Sequence, residues 1–324
     1  MIDDAIGGYL SLELPNDGRE LYPGALRFQS ARAAFLALLR AHPPAAVWVP
    51  WYLCDSMLEP LLAAETPVKR YETGPDLGCP TITLGAGEWL LYVNYFGICE
   101  HHVDSVLARH PRERVVIDNA QALFCTPRDC LANVYSPRKF VGVPDGGYLV
   151  TNQAIPAPDE IDPASHERVA HLLKRLDAGA EAGFADYRTA EATLEQQPPR
   201  RMSVLTQRML GAIDYPSVRD ARRANFAYLH ERLEHRNRLP IALDDVSVPL
   251  CYPFLGQSET TRAALIAQRV YTPCYWPEVA ANDAAPDFNK ALARDTLFLP
   301  CDQRLSSAQL DQLVTHVLGE RIAP

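Results

Sequence analysis

Lys139 stands in the stretch Tyr135-Ser-Pro-Arg-Lys-Phe-Val-Gly-Val-Pro-Asp-Gly-Gly147 of a chain that carries 27 arginines and only four lysines. Arginine stays protonated at any working pH, whereas a lysine can lose its proton, attack a carbonyl carbon and form a Schiff base. Upstream, Val115-Val-Ile-Asp-Asn-Ala-Gln121 is a short apolar run ending in a carboxylate. That is the pattern of a buried parallel strand delivering Asp118 at its C-terminal edge. A carboxylate and a lysine in successive segments point to pyridoxal 5'-phosphate (PLP), with Lys139 as the amine for its aldehyde and Asp118 keeping its pyridine nitrogen protonated.

The other requirements of that cofactor are a phosphate cup and a flat face against the ring. The backbone N–H groups of Ser30, Ala31 and Arg32 open a helix, where an anion is favoured. Ser136 adds a hydroxyl beside the lysine. Trp51, Tyr52, Leu53 and Cys54 follow a strand and offer the ring face, with Tyr52 preferred. Gln121, three residues beyond Asp118, is placed to bond the ring hydroxyl or line the pocket. Singly, each residue has a simpler reading: a loop lysine is solvated, a strand-end aspartate caps a turn, Ser30 is an N-cap and Gly146-Gly147 is a tight turn. Their joint order is what assigns them to one site.

These residues need elements to hold them. Helix-period and strand-like segments alternate through the first half, the signature of an α/β fold with a mainly parallel central sheet flanked by helices. Residues 30–41 form a helix behind Ser30. Strands are expected at 46–49, 68–71, 88–95, 114–118, 132–135 and 147–151, and helices at 55–65 and 104–110. Residues 152–163 carry three prolines and read as a surface connection. Helices follow at 164–178, 185–195, 201–213 and 216–236, and the arginines from Arg219 to Arg223 read as a solvated face. The last stretch mixes a strand (246–252), a helix (259–269), an extended segment (271–276), a strand (296–299) and a closing helix (306–318). This divides the chain into a large α/β domain over 1–215 and a smaller α+β domain over 216–324.

A chain of 324 residues with 48% apolar content can bury a sizeable core. The start, Met-Ile-Asp-Asp-Ala-Ile, lacks a secretory pattern and no run reaches membrane-spanning length, so the cytoplasm is expected. The eight cysteines include no C-x-x-C pair, which argues for free thiols, and Cys99-Glu-His-His102 does not read as a metal cluster. A formal charge of −9 disfavours nucleic acid.

The order of these motifs resembles the DegT/StrS-type sugar aminotransferases, within the aspartate aminotransferase-like, fold type I PLP enzymes, over nearly the whole chain. Ile117-Asp-Asn-Ala-Gln121 resembles the family's Asp-Ala-Ala-Gln/His element, and Lys139 stands at the family's lysine spacing before Gly146. Val93-Asn-Tyr-Phe-Gly97 is similar to a strand that ends beside the cofactor, which makes Asn94 a pocket candidate. Arg201-Met-Ser203 and Leu299-Pro-Cys-Asp302 resemble the element after the cross-subunit loop and the closing segment. The equivalent of Tyr271–Trp276 approaches the family's active site, which brings in Tyr275 or Trp276. The chain departs in having Ser30-Ala31-Arg32 for Ser-Gly-Thr, Pro199 for an asparagine that reaches the partner's phosphate, and Ser136 three residues before the lysine rather than five; Arg200 or Arg32 would compensate. The resemblance implies a homodimeric aminotransferase using a small-molecule amino donor, glutamate or glutamine, and a keto acceptor such as a keto-sugar. A non-catalytic or regulatory protein of the same fold, or a PLP-dependent lyase or racemase using Lys139, are the alternatives.

Overall fold

Residues 6–15, 20–241, 244–258 and 260–319 are described in a computed structural model of the chain. The N-terminal Met1–Ala5 reading, and the Glu259 start of one expected helix, lie outside them.

A three-residue strand β1 (Leu26–Phe28) runs into Ser30, whose Oγ accepts from Ala33 N at 3.1 Å and caps helix α1 (Ala31–Ala41). Alanines and leucines fill α1 on nearly all sides, so the helix is buried. Then come β2 (Ala46–Pro50), α2 (Asp55–Ala63), β3 (Val68–Tyr71), β4 (Glu88–Val93), α3 (Glu100–Arg109), β5 (Val115–Asn119), β6 (Ala132–Tyr135) and β7 (Gly147–Val150). These strands form one seven-stranded sheet in the order β1-β7-β6-β5-β4-β2-β3. β2 to β6 are mutually parallel, β7 is antiparallel to β6, and β1 is antiparallel to β7. β1 therefore runs in the same direction as the five parallel strands β2 to β6.

Four helices follow: α4 (Ala170–Ala178), α5 (Phe184–Ala192), α6 (Val204–Gly211) and the 19-residue α7 (Tyr215–Leu233). The chain ends with β8 (Cys251–Phe254), α8 (Arg262–Ala267), α9 (Pro277–Ala281), α10 (Asp287–Asp295), β9 (Leu297–Pro300) and α11 (Ser307–Leu318). β8 and β9 pair antiparallel as a separate two-stranded sheet.

Side chains alternate across each strand, so each sheet face has its own partners. On one face Val47, Val93, Val116 and Val134 join a core shared with Phe226 of α7, Tyr252 and Phe298 of the small sheet, and Val314 of α11. On the other, Leu90, Tyr92, Val115 and Ile117 pack against Val103, Val106 and Leu107 of α3. Among the described residues no helix is long and apolar enough to cross a membrane.

Several expected boundaries move, each for a local reason. β4 stops at Val93 instead of Tyr95 because Phe96 and Gly97 turn the backbone to φ 55° and 69°. α3 starts at Glu100 instead of Asp104, directly after that turn. The segment expected to open a strand at Val246 is instead a loop, its Val246 and Ser247 amides bonded to Asp244 Oδ1, and β8 begins at Cys251. α4 starts six residues late because 164–169 is a series of turns opened by Asp162 Oδ1 accepting from Ala164 N. β1, α9 and α10 had no counterpart in the sequence reading; each is short or broken by polar residues. Arg222, expected on a solvated face, is 2% exposed.

Candidate active site

The sheet topology sends every motif to one edge. At the C-terminal ends of the parallel strands, β1 leads to Ser30, β2 to Tyr52, β4 to Asn94, β5 to Asp118 and β6 to Ser136 and Lys139. β7 runs the other way, so its first residue, Gly147, starts at that same edge. This is the edge at which ligands bind in open α/β sheets. The β1–α1 junction and the start of β7 are locked together: Gly146 N donates to Gln29 O at 2.7 Å, and a Cβ on Gly147 would lie 2.2 Å from Ser30 C and 2.4 Å from Ala31 N. Only glycine lets the two backbones approach so closely.

Asp118 lies in register with Val93 of β4 and Val134 of β6, so its carboxylate is on the face of the larger core. It is 4% exposed, and Oδ1 accepts from Ala120 N at 2.8 Å. Burial pushes its carboxyl above the ordinary value, while the Lys139 ammonium and the Ala120 amide pull it back. Lys139 closes a single 3-10 turn, Pro137–Lys139, at the end of β6 and is exposed. The arrangement is a buried carboxylate within electrostatic reach of an accessible amine.

Gln121 is buried; its Oε1 accepts from Phe96 N at 3.0 Å, while its Nε2 has no partner among the described residues. The turn at Phe96–Gly97 presses on the same residue, since a Cβ on Gly97 would lie 3.0 Å from Gln121 O and 2.4 Å from Val248 O. Ser136 is buried beside the lysine turn.

Two candidates, and the guanidinium of a third, are engaged elsewhere. Asn94 is one step beyond Val93, so alternation turns it to the side opposite Asp118. There its Nδ2 donates to Asn119 Oδ1 at 3.0 Å and its Oδ1 accepts from Cys99 N at 3.2 Å, which ties β4 to β5 and to the start of α3. Tyr52 is fully buried, its ring edge-on to Trp276 at 4.3 Å, and its hydroxyl has no partner among the described residues. The Arg32 guanidinium is paired, Nη1 with Glu59 at 2.7 Å and Nη2 with Ser56 Oγ at 3.2 Å. Arg200 is bonded to the residue before Ser30, its N donating to Gln29 Oε1, and its guanidinium is engaged by Glu160 and Gln197.

Two residues that the motif order did not single out also belong to this edge. Asn119 is fully buried, and its Nδ2 has no partner among the described residues. Arg138, next to Lys139, pairs with Glu191 of α5, and its buried Nε has no partner among the described residues. Burial pushes its guanidinium down to about 10, and the charges of Arg32 and Arg168 act in the same direction. An arginine in an arginine-rich chain gives no signal of its own in sequence. A cleft of about 320 Å³ lies along the β1 edge between Leu26, Phe28, Ile161 and Met202 and contains none of these residues.

A mainly parallel seven-stranded sheet with β7 reversed, a turn carrying Lys139 after β6 and a separate small antiparallel sheet give the chain the architecture known as fold type I. Solved structures of sugar aminotransferases of the DegT/StrS type share this fold. The putative sugar aminotransferase Spr1654 from Streptococcus pneumoniae, in its PMP form, superposes with a TM-score of 0.64 at 15% identity over 97% of this chain and 93% of its own. The sugar aminotransferase CalS13 from Micromonospora echinospora gives 0.61 at 16% identity, over 91% and 87%. The E. coli GDP-4-keto-6-deoxy-D-mannose-3-dehydratase, solved with bound hydrated PLP, gives 0.62 at 14% identity, over 90% and 87%. No sequence-family model and no curated protein sequence matches the chain.

Proposed function

We propose that this protein is a PLP-dependent aminotransferase moving an amino group from an amino acid donor, glutamate or glutamine, to a keto acceptor of the keto-sugar or nucleotide-linked keto-sugar class. The observation that carries this reading is the buried Asp118 carboxylate and the exposed Lys139 amine at one sheet edge, where α1 begins, with the charge of the amine felt at the carboxylate. The residues present fit the cofactor. Among the described residues the Asp118 carboxylate accepts from Ala120 N at Oδ1, and its remaining lone pairs can accept from a protonated ring nitrogen. Gln121 Nε2 is a buried donor without a partner among the described residues, as a group awaiting a polar ligand would be. The Gly146-Gly147 contact with Ser30 leaves the first turn of α1 close to the lysine segment.

PLP, when bound, supplies an electron sink for the carbon that bears the amino group. The chain does the rest. Asp118 would keep a proton at the ring nitrogen, and Gln121 Nε2 would be a donor for the ring hydroxyl. The N–H groups of Ala31 and Arg32 at the helix N-terminus would hold the phosphate, with the Ser136 hydroxyl as a further donor. Lys139 Nζ would be the amine that holds the cofactor and, when free, the base for the substrate proton. The sugar class rests on the names of the structures that share the fold. The same reading divides the chain at residue 215 into a cofactor-binding unit and a smaller unit begun by α7, makes the working form a homodimer, and places it in the cytoplasm.

Addition of PLP to the purified protein is expected to give a visible absorbance band that Lys139→Ala abolishes. Borohydride reduction should leave a pyridoxyl group on the peptide containing Lys139. Glutamate should then yield 2-oxoglutarate with matching consumption of the band. Attachment without any keto acid from a panel of amino acids would overturn the aminotransferase reading in favour of elimination or racemisation, and no attachment would remove the catalytic reading altogether.

A further inference from the structure

Arg222 of α7 is 2% exposed and has no carboxylate within ion-pair distance among the described residues. Burial pushes its guanidinium below the ordinary value. An unpaired buried cation is costly unless its donors are met, and here the donors are met by a particular set of groups. Nη2 donates to Phe140 O at 3.1 Å, Nη1 to Pro249 O at 3.2 Å and Leu250 O at 3.1 Å, and Nε to Gln303 Oε1 at 2.9 Å. Gln303 Nε2 in turn donates to Phe140 O at 3.0 Å, and the guanidinium lies 4.6 Å from the centre of the Phe140 ring.

Phe140 is the residue after Lys139. Its carbonyl is gripped by two donors, one from α7 and one from the segment after β9, and its ring lies beneath one of them. The same arginine holds Leu250, whose N–H donates to Phe96 O at 2.7 Å, and Phe96 N donates to Gln121 Oε1 at 3.0 Å. One guanidinium thus links the turn that carries the amine to the amide three residues beyond Asp118, although α7 contributes no group to the site itself. A planar fork is the side chain suited to four acceptors fixed in different directions, and a lysine in its place would be a point charge.

We infer that Arg222 is a positioning residue that sets the direction of the Lys139 amine relative to Asp118 and couples the α7–β8–β9 unit to the site. The inference rests on the aminotransferase reading for its catalytic consequence, but its structural core can be tested in the cofactor-free protein. In that protein the four lysines can be followed separately by peptide mass spectrometry after brief reductive methylation, with Lys174 and Lys290 as surface controls.

Arg222→Lys and Arg222→Met are expected to change the labelling rate of Lys139 by about threefold or more while leaving Lys174 and Lys290 unchanged, and to lower kcat by about tenfold with little change in the KM for the amino donor, about 1.4 kcal/mol. Lysine should not rescue, because charge alone does not reproduce the fork. If the Arg222 variants do not fold, Gln303→Ala removes the second donor to Phe140 O and is expected to shift Lys139 labelling in the same direction to a smaller degree. Folded variants whose Lys139 labelling and kcat match the parent protein, or full rescue by lysine, would overturn the inference. Absence of PLP attachment in the parent protein would instead sink the aminotransferase reading and leave the labelling result to decide the positioning role.

Discussion

Asp118 is the residue at which burial and function pull in opposite directions. Its folded carboxyl titrates above the unfolded one because of burial, so the folded state holds the proton more tightly. The sign follows: the ionised carboxylate burdens the cofactor-free protein above the unfolded value, near 4, and the burden disappears as pH falls below it. Asp118→Asn is therefore expected to raise the Tm of the cofactor-free protein by roughly 2 °C at pH 8, the size of a kcal/mol or less in a chain of this length, with the gain fading toward pH 4. The same variant should lose about 10²–10⁴ in turnover, because an amide does not keep a ring nitrogen protonated. Calorimetry across pH reads the first effect, and a fall in Tm at pH 8 would show that the carboxylate is already compensated. Lys139→Ala, by contrast, removes an exposed side chain and should abolish cofactor attachment with little effect on stability.

At the scale of elements, the β1–α1 junction and the start of β7 are one joint. Gly147→Ala would drive a methyl into the Ser30–Ala31 backbone, and overpacking of this kind costs about 1–3 kcal/mol or more, or roughly 2–10 °C in Tm. Because the same backbone opens α1, phosphate affinity should fall with stability. An unchanged Tm in a melting experiment would mean the junction can open without cost. A second joint joins α5 to the lysine turn through Glu191 and Arg138, and a third runs from Gln196 N to Glu59, the partner of Arg32, at 2.6 Å. The two arginines feel one another's charge, and protein carboxylates occupy them both. Glu191→Gln should free Arg138 for an anion and tighten binding of PLP or inorganic phosphate by about tenfold, which calorimetric titration can measure. Weaker binding would show that the pair shapes the cup instead of competing with its ligand.

For the whole molecule, the core is continuous from the seven-stranded sheet through α7 to the small sheet, so the second unit is joined to the first by packing as well as by chain. The α4–α5 pair departs from that economy: Leu173, Leu176 and Phe184 are 54%, 86% and 59% exposed, more apolar surface on one helical pair than a lone surface helix needs. The proposed homodimer would be expected to cover this face. Leu176→Glu together with Phe184→Glu is expected to shift the protein from dimer to monomer in light scattering, while a monomeric parent protein, or a dimer untouched by the pair, would assign the face elsewhere.

The sequence by itself determined the order of elements that matters most, because local signals are strong there: the Ser30 cap on an alanine- and leucine-rich helix, the apolar run ending at Asp118, and the glycine pair that opens β7. Strand period and chain order suffice to send Asp118 and Lys139 to one sheet edge. What only the tertiary structure decided is which face each side chain takes and what it meets there. A one-residue step past Val93 turns Asn94 toward Asn119 and α3, and no local pattern locates the end of β4, because the turn there meets distant groups: Phe96 N donates to Gln121 Oε1 and Gly97 lies against Val248 O. Tyr52 looks like an accessible strand-end aromatic until Trp276, more than two hundred residues away, covers it. Arg222 reads as one solvated arginine among several on α7, and only the convergence of Phe140, Pro249, Leu250 and Gln303 around it buries it. Contacts between residues distant in sequence leave no periodicity behind, so the chain wrote the chemistry of this site locally and left its geometry to the fold.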